Sequence, residues 1–113
     1  MKIKHTERYE AVVIELKGNV MGGDDTKEFN ELLHKLIDEG KKHVVIDLSD
    51  VKFMNSSGIG MLISGLTTMK KAEGSMKLSG ATEKIESLLV ITKLITIFET
   101  YDDIEKAIGS FSK

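Results

Sequence analysis

Two serines and two glycines stand together in the stretch FMNSSGIGML, residues 53–62, between a strand-like and a helix-like apolar run. Backbone N–H groups at a helix N-terminus have no partner within the helix, and they attract anions. A serine hydroxyl placed there can cap the helix, which contributes about 1 kcal/mol. We expect Ser56 or Ser57 to be the cap, Gly58 to permit a tight turn, and Gly60 to permit close packing of the helix.

Hydrolytic, thiol and nucleotide chemistry are not indicated by this junction. Its serines do not lie in the G-x-S-x-G pattern that presents a hydrolase nucleophile on a strand-to-helix turn. The letters SSGIG lack the lysine and the spacing of the phosphate-binding motif G-x-x-x-x-G-K-[ST]. The chain contains no cysteine, which excludes disulfides, cysteine-ligated zinc and a thiol nucleophile.

Four aspartates could gather at one end of a sheet and hold Mg²⁺, namely Asp24, Asp25, Asp47 and Asp50. Asp47 falls within a predicted strand, however, and the first long strand does not end in an acidic pair. The three histidines have no spacing typical of a metal site. We therefore predict neither a metal nor a cofactor.

The composition is typical of one compact domain. The chain has 113 residues, a size near the commonest domain length of roughly 100–150 residues. Its 16 Lys+Arg and 18 Asp+Glu give a net charge of −2 without a long block of one sign, which argues against a nucleic-acid partner. The start MKIKHTERYE is too polar for a signal peptide, and no apolar run approaches the ~20 residues of a membrane span. We expect a cytoplasmic protein with no membrane insertion.

Short runs rich in valine and isoleucine predict strands at residues 11–18 and 43–50. Residues 2–8 are polar enough for an edge strand and are expected to form a hairpin with the first of these runs. Shorter strands are predicted at residues 75–80 and 94–99.

Apolar residues at helical spacing predict four helices: residues 24–39, the segment from the serines to about Gly74, residues 82–91, and a C-terminal helix around 104–111. On the second helix we expect one buried face, carrying Ile59, Leu62, Ile63, Leu66 and Met69. A hairpin followed by alternating helices and strands predicts an α/β fold. The prediction is one domain, residues 1–113, with a mixed sheet of four to five strands and about four packed helices.

The stretch VVIDLSDVKFMNSSGIGMLISGL, residues 44–66, resembles the signature of the STAS domain family, in particular of the small bacterial anti-sigma factor antagonists. The family pattern is an apolar strand, a short loop, and Asp-Ser-Ser/Thr-Gly-apolar-Gly at the start of a helix. The hairpin, the GSMKLSGA strand and the ITIFETYDDIEKAI tail follow in the family's order. The likeness therefore covers nearly the whole chain and implies a STAS-like fold.

The resemblance also implies a phosphorylation switch without enzymatic activity. In the family, the serine after the Asp is phosphorylated by a kinase that is also the anti-sigma factor; that position is Ser56 here, with Ser57 as the second choice. The implied partners are an anti-sigma factor with serine kinase activity and a serine phosphatase. The implied partner-binding residues are Asn55, Ser57, Gly58, Ile59, Gly60, Asp24 and Asp25.

This sequence departs from the family pattern at two places. Asn55 replaces the family's Asp, so the negative charge beside the serine is missing. The family's Gly-x-Leu-Asp turn before the first helix is represented by GNVMGGDD, with one extra residue, so Asp24 or Asp25 takes the place of that Asp.

Two other functions remain open from the sequence. A STAS domain could serve as an unphosphorylated scaffold or regulatory module in a larger signalling or transporter complex. The glycine-rich junction could instead hold a nucleotide or another phosphate.

Overall fold

The computed structural model describes residues 1–9 and 11–112 and contains one five-stranded sheet. Strand β1, Lys2–Arg8, forms the edge and pairs antiparallel with β2, Ala11–Val20. The next three strands, β3 (His43–Met54), β4 (Ser75–Ser79) and β5 (Thr100–Tyr101), each pair in parallel with the strand before them. The strands therefore lie in the sheet in the same order as in the chain.

Four helices connect and cover the strands: α1 (Asp24–Asp38), α2 (Ser56–Lys71), α3 (Glu83–Ile91) and α4 (Ile104–Gly109). Residues of α1, α2 and α3 join one face of the sheet in the main core, and residues of α4 join the other face in a smaller core. This arrangement confirms the predicted α/β fold with a mixed sheet and four helices. In the part of the chain that the structure describes, no helix is long and apolar enough to span a membrane.

The main core forms because alternate residues of β2 and β3 point to the same face. Ile14 and Ile46 from these strands pack with Phe29 of α1 and Leu62 of α2, and all four are completely buried. The intervening residues face α4, where Val45 is also completely buried. Both faces of the central strand are thus covered, as parallel strands require.

Strand β3 continues past the predicted end at residue 50 to Met54. Val51 and Met54 remain buried in this extension, and the pairing with β2 shifts register on either side of Lys17 and Gly18. Such irregularities bend a strand locally. Strand β3 therefore ends directly before residues 55–60, which we call the serine junction.

The predicted strand at residues 94–99 is wrong. Leu94–Thr96 is a short 3₁₀ helix, entered through Lys93 in the left-handed conformation, and the last strand comes later, at Thr100–Tyr101. Leu94 and Phe98 are buried, whereas Ile95 and Ile97 are exposed. The two buried residues of the run are therefore four positions apart, a helical spacing that the nearly continuous apolar sequence did not reveal.

The buried face of α2 also differs from the prediction. Ile63 is exposed and Ile59 is only half-buried, while Met61, which was not predicted, is buried. The buried stripe consists of Gly58, Met61, Leu62, Gly65, Leu66 and Met69. Two of these buried residues are glycines. Glycine was not counted as apolar in the sequence pattern, so the predicted face differs from the observed one by a rotation about the helix axis.

Candidate functional site

Strand β3 passes into helix α2 through a single residue, Asn55. Its backbone is extended, with φ −95° and ψ −178°, and its side-chain Oδ1 accepts a 2.8 Å hydrogen bond from the backbone N–H of Gly58. Asn55 is therefore the N-cap of α2. The prediction that Ser56 or Ser57 would be the cap is wrong, because both serines already lie in the first turn of the helix.

Ser56 and Ser57 are exposed in that first turn. Because the side chain of Asn55 caps the helix through the N–H of Gly58, neither hydroxyl is needed as the capping group. The first turn of α2 contains no acidic residue, so no side chain of the turn neutralises the positive end of the helix dipole. An anion attached to either hydroxyl would therefore lie in a favourable field.

The loop between β2 and α1 lies against Ser57. Gly22 in this loop is buried and has a positive φ of 81°. A β-carbon added at Gly22 would come within 2.7 Å of the β-carbon of Ser57. Glycine is therefore required here for both its conformation and its size, and Ser57 is the more sterically restricted of the two serines.

Gly58 is required for a close approach between α2 and the end of β2. A β-carbon at Gly58 would lie 2.0 Å from the carbonyl oxygen of Val20, and the backbone N–H of Asn55 donates to the same oxygen at 3.2 Å. The role of Gly58 is thus close packing and not the tight turn that was expected from the sequence. Gly60 was expected to provide that packing, but a β-carbon there would meet nothing within 4 Å.

Asp24 and Asp25 begin α1, directly after the loop that contacts Ser57. Asp24 is exposed, and Asp25 is half-buried with its Oδ2 3.7 Å from the amine of Met1. Acidic residues in a first turn stabilise the helix through its dipole. The contact between Gly22 and Ser57 brings the start of α1 and the start of α2 to the same region of the surface.

Three of the four aspartates considered as Mg²⁺ ligands have separate partners, and Asp24 is exposed at the start of α1. Asp47 lies within β3 and accepts hydrogen bonds from the backbone N–H of Ser49 at 3.2 Å and from its hydroxyl at 3.0 Å. Asp50 pairs with Lys17 at 3.8 Å. Within residues 1–9 and 11–112, no three His, Cys, Asp or Glu side chains are placed to hold a metal ion.

Three apolar side chains near the junction are exposed: Phe53 and Met21, which were not singled out in the sequence, and Ile63, which was expected to be buried. Phe53 at the end of β3 is 40% exposed, and Met21 in the loop before α1 is 45% exposed. Ile63 follows Ser56 by two helical turns and is also exposed. The identity of Gly22 as a contact of Ser57 was missed as well, although the GG pair in GNVMGGDD was a visible signal of unusual backbone conformation.

Comparison with known proteins agrees with this architecture. Residues 2–107 match the family model described as the STAS domain. The chain is 31% identical over 87 residues to the anti-sigma-B factor antagonist of Bacillus subtilis, a match that covers 75% of this chain and 80% of that protein.

Two solved structures show the same fold at low sequence identity. An anti-sigma-factor antagonist (STAS) domain protein from Planctomyces limnophilus superposes with a TM-score of 0.81 and 19% identity, covering 98% of each chain. A sulfate transporter family protein from Wolinella succinogenes superposes with a TM-score of 0.79 and 18% identity, covering 93% of this chain and 87% of that one. Together with the match of nearly the entire sequence to the family model, they lead to one conclusion: the chain belongs to the STAS domain family.

Proposed function

We propose that this protein is an anti-sigma factor antagonist whose partner binding is controlled by phosphorylation of Ser56. Unphosphorylated, it binds an anti-sigma factor that is also a serine kinase and so releases a sigma factor. A serine phosphatase restores the binding form, and the chain itself catalyses no reaction. One observation carries the proposal: Ser56 is exposed at the first position of α2, and its hydroxyl is not committed to capping because Asn55 fills that role.

Membership of the STAS family and the name of the Bacillus subtilis relative support this role. The resemblance described above implies phosphorylation of the first serine of the signature, which is Ser56. The geometry also favours Ser56 over Ser57, because the β-carbon of Ser57 faces Gly22 of the neighbouring loop. A kinase active site would reach Ser56 with less displacement of that loop.

A phosphate would switch the protein off without refolding it. Phosphorylation adds about −1.5 to −2 charges, and at Ser56 these charges would meet the positive end of α2, where they are tolerated in the free protein. Burial of the same charges in an interface without a basic partner costs several kcal/mol. The phosphorylated form is therefore folded but unable to dock.

The proposed contact surface surrounds Ser56. Asn55, Ser57, Gly58, Ile59 and Gly60 form the first turns of α2 and its cap, while Asp24 and Asp25 contribute the acidic start of α1. The aspartates offer charge for a basic partner side chain. Gly58 acts indirectly, since it fixes the position of the turn against Val20.

A second candidate function is a scaffold or regulatory module that is not phosphorylated. The observation that favours it is the likeness in fold to the sulfate transporter family protein of Wolinella succinogenes. In this case the same face of α2 would contact a partner constitutively.

Intact-mass measurement and peptide mapping of the protein from its own organism distinguish the two functions. The switch predicts a fraction heavier by one phosphate, located on Ser56. A chain that stays unmodified under several growth conditions would exclude the switch and leave the scaffold.

A further inference from the structure

Four lysines converge on an open cavity of about 760 Å³ at the end of the sheet where β2 and β3 approach the serine junction. They are Lys2 of β1, Lys17 of β2, Lys52 of β3 and Lys84 of α3. Asp50 is the only carboxylate among the described residues that line this cavity. We call this cavity the lysine pocket.

The fold concentrates positive charge in the lysine pocket. Its lysines come from four different elements, so no run of basic residues in the sequence marks it. Four lysines against one aspartate leave an excess of three positive charges in a chain whose net charge is −2. Like charges held together in a cleft raise the local concentration of anionic ligands.

An apolar groove adjoins the lysine pocket. It has a volume of about 170 Å³ and is lined by Phe53, Met54, Ile85, Leu88 and Ile91, together with Lys84. Lys84 borders both cavities, and its ammonium lies 5.4 Å from the centre of the Phe53 ring.

Two of the apolar side chains that line the groove are exposed to solvent. Phe53 is 40% exposed and Ile91 is 78% exposed, so apolar surface remains in contact with water. The groove is smaller than the roughly 300–1,000 Å³ of a typical small-molecule site. It is therefore suited to single apolar side chains of a partner and not to a whole cofactor.

We propose that the lysine pocket and the apolar groove together dock an acidic amphipathic peptide segment of a protein partner. An apolar side chain of the segment fills the groove, and its carboxylates lie over Lys52 and Lys84. The inference rests on the proposed function in one respect, namely that the partner is a protein that works at the serine junction. Phe53 and Met54 of the groove directly precede Asn55 and Ser56, so a docked segment would hold its protein beside the phosphorylation site.

The charge and the shape of this surface together favour a peptide over an anionic membrane. A bilayer would satisfy the lysines, but the net charge of −2 opposes adsorption of the whole chain. A concave groove also receives a protruding apolar side chain of a partner. An amphipathic peptide satisfies both the charged and the apolar part of the surface.

The test is selection of binding peptides from a random displayed library on the immobilised protein, followed by affinity measurements with the synthesised peptides. We expect enriched peptides to combine Asp or Glu with a large apolar residue. The double variant Lys52→Glu/Lys84→Glu should weaken their binding by roughly tenfold or more, because it reverses the charge that attracts them. Binding should also weaken as salt rises from about 0.05 M to about 0.5 M.

Matched variants separate the surface from general effects of charge. Lys27→Glu/Lys71→Glu replaces two exposed lysines, one on α1 and one on α2, and changes the net charge by the same amount. This variant should leave peptide binding unchanged. Ile91→Ser should weaken binding without changing net charge. Circular dichroism confirms that each variant is folded.

Any of three results would overturn the proposal. The enriched peptides could lack acidic residues, or the Lys52→Glu/Lys84→Glu variant could bind them as well as the parent. The third result is binding that depends on Lys52 and Lys84 but occurs only with vesicles of phosphatidylcholine containing about 30% phosphatidylglycerol. The proposed function fails separately, through absence of phosphate on Ser56 in the protein from its own organism. Each idea can therefore be rejected without the other.

Discussion

The side chain of Asn55 accepts a 2.8 Å hydrogen bond from the backbone N–H of Gly58, and this contact begins helix α2. It explains how the chain can carry Asn where the family has Asp. Both residues are good N-caps, so the exchange preserves the helix start and removes one negative charge beside Ser56. The structural role and the electrostatic role of this position can therefore be tested separately.

For the structural role, Asn55→Ala should lower the free energy of unfolding by about 1 kcal/mol, because the first turn loses its cap. Asn55→Asp should retain stability, since a carboxylate can cap the helix and also interacts favourably with the positive end of the helix dipole. Urea denaturation of the two variants measures both effects. Equal stability of the Ala variant and the parent would show that the observed hydrogen bond contributes nothing in solution.

For the electrostatic role, Asn55→Asp restores the family's acid beside the serine. If the kinase recognises that charge, the rate of phosphate incorporation should rise relative to the parent. The assay uses the proposed anti-sigma factor kinase and labelled ATP, with Asn55→Ala as the uncharged comparison. An unchanged rate for the Asp variant would mean that the kinase does not read the charge at this position.

The two serines provide an internal control for the switch. Ser56→Asp should lose binding to the proposed kinase partner because a carboxylate is forced into the contact, whereas Ser56→Ala should bind but escape phosphorylation. Ser57→Ala should be phosphorylated nearly as well as the parent. Calorimetry gives the affinity of each variant. Undiminished binding by folded Ser56→Asp would contradict the switch and favour the scaffold function.

Gly58 and Gly60 are two residues apart, and they should respond to alanine in opposite ways. Gly58→Ala places a β-carbon 2.0 Å from the carbonyl oxygen of Val20, so α2 must move away from β2 and stability should fall by roughly 2 kcal/mol or more. Gly60→Ala meets nothing within 4 Å in an exposed helical position and should stabilise by about 0.5–1 kcal/mol. Thermal or urea unfolding checks the pair, and a neutral Gly58→Ala would contradict the observed approach.

Leu62 and Ile63 test which face of α2 is buried. Leu62 is completely buried, so Leu62→Ala should cost about 2–5 kcal/mol. Ile63 is 36% exposed, and Ile63→Ala should change stability by only about 0.5 kcal/mol. Similar losses for both variants would place the helix in a different rotation from the one described.

The sequence was sufficient for most elements because their periodicity was long and regular. The Val- and Ile-rich runs of β2 and β3 and the apolar stripe of α1 predicted the elements that form the centre of the fold. The prediction of a strand at residues 94–99 failed because six mostly apolar residues fit a strand and a helical turn equally well. Only packing of Leu94 and Phe98 into the core distinguishes the two.

The candidate site was located by its residue types, but its internal roles needed three-dimensional contacts. Asn, Ser and Gly are all acceptable near an N-cap, so the sequence could not decide that Asn55 caps. The function of Gly58 depends on Val20, which lies far from it in the chain and next to it in space. The lysine pocket could not be recognised from the sequence for the same reason, since β1, β2, β3 and α3 each contribute one lysine.

The edges of the sheet limit how copies of this protein can associate. Strand β1 is the long edge and presents charged residues along its length, including Lys2, Lys4, Glu7 and Arg8, while the opposite edge, β5, has only two residues. Charged or very short edge strands resist the addition of another strand from a neighbouring molecule. The protein should therefore withstand edge-to-edge aggregation at high concentration even though one edge of its sheet is open.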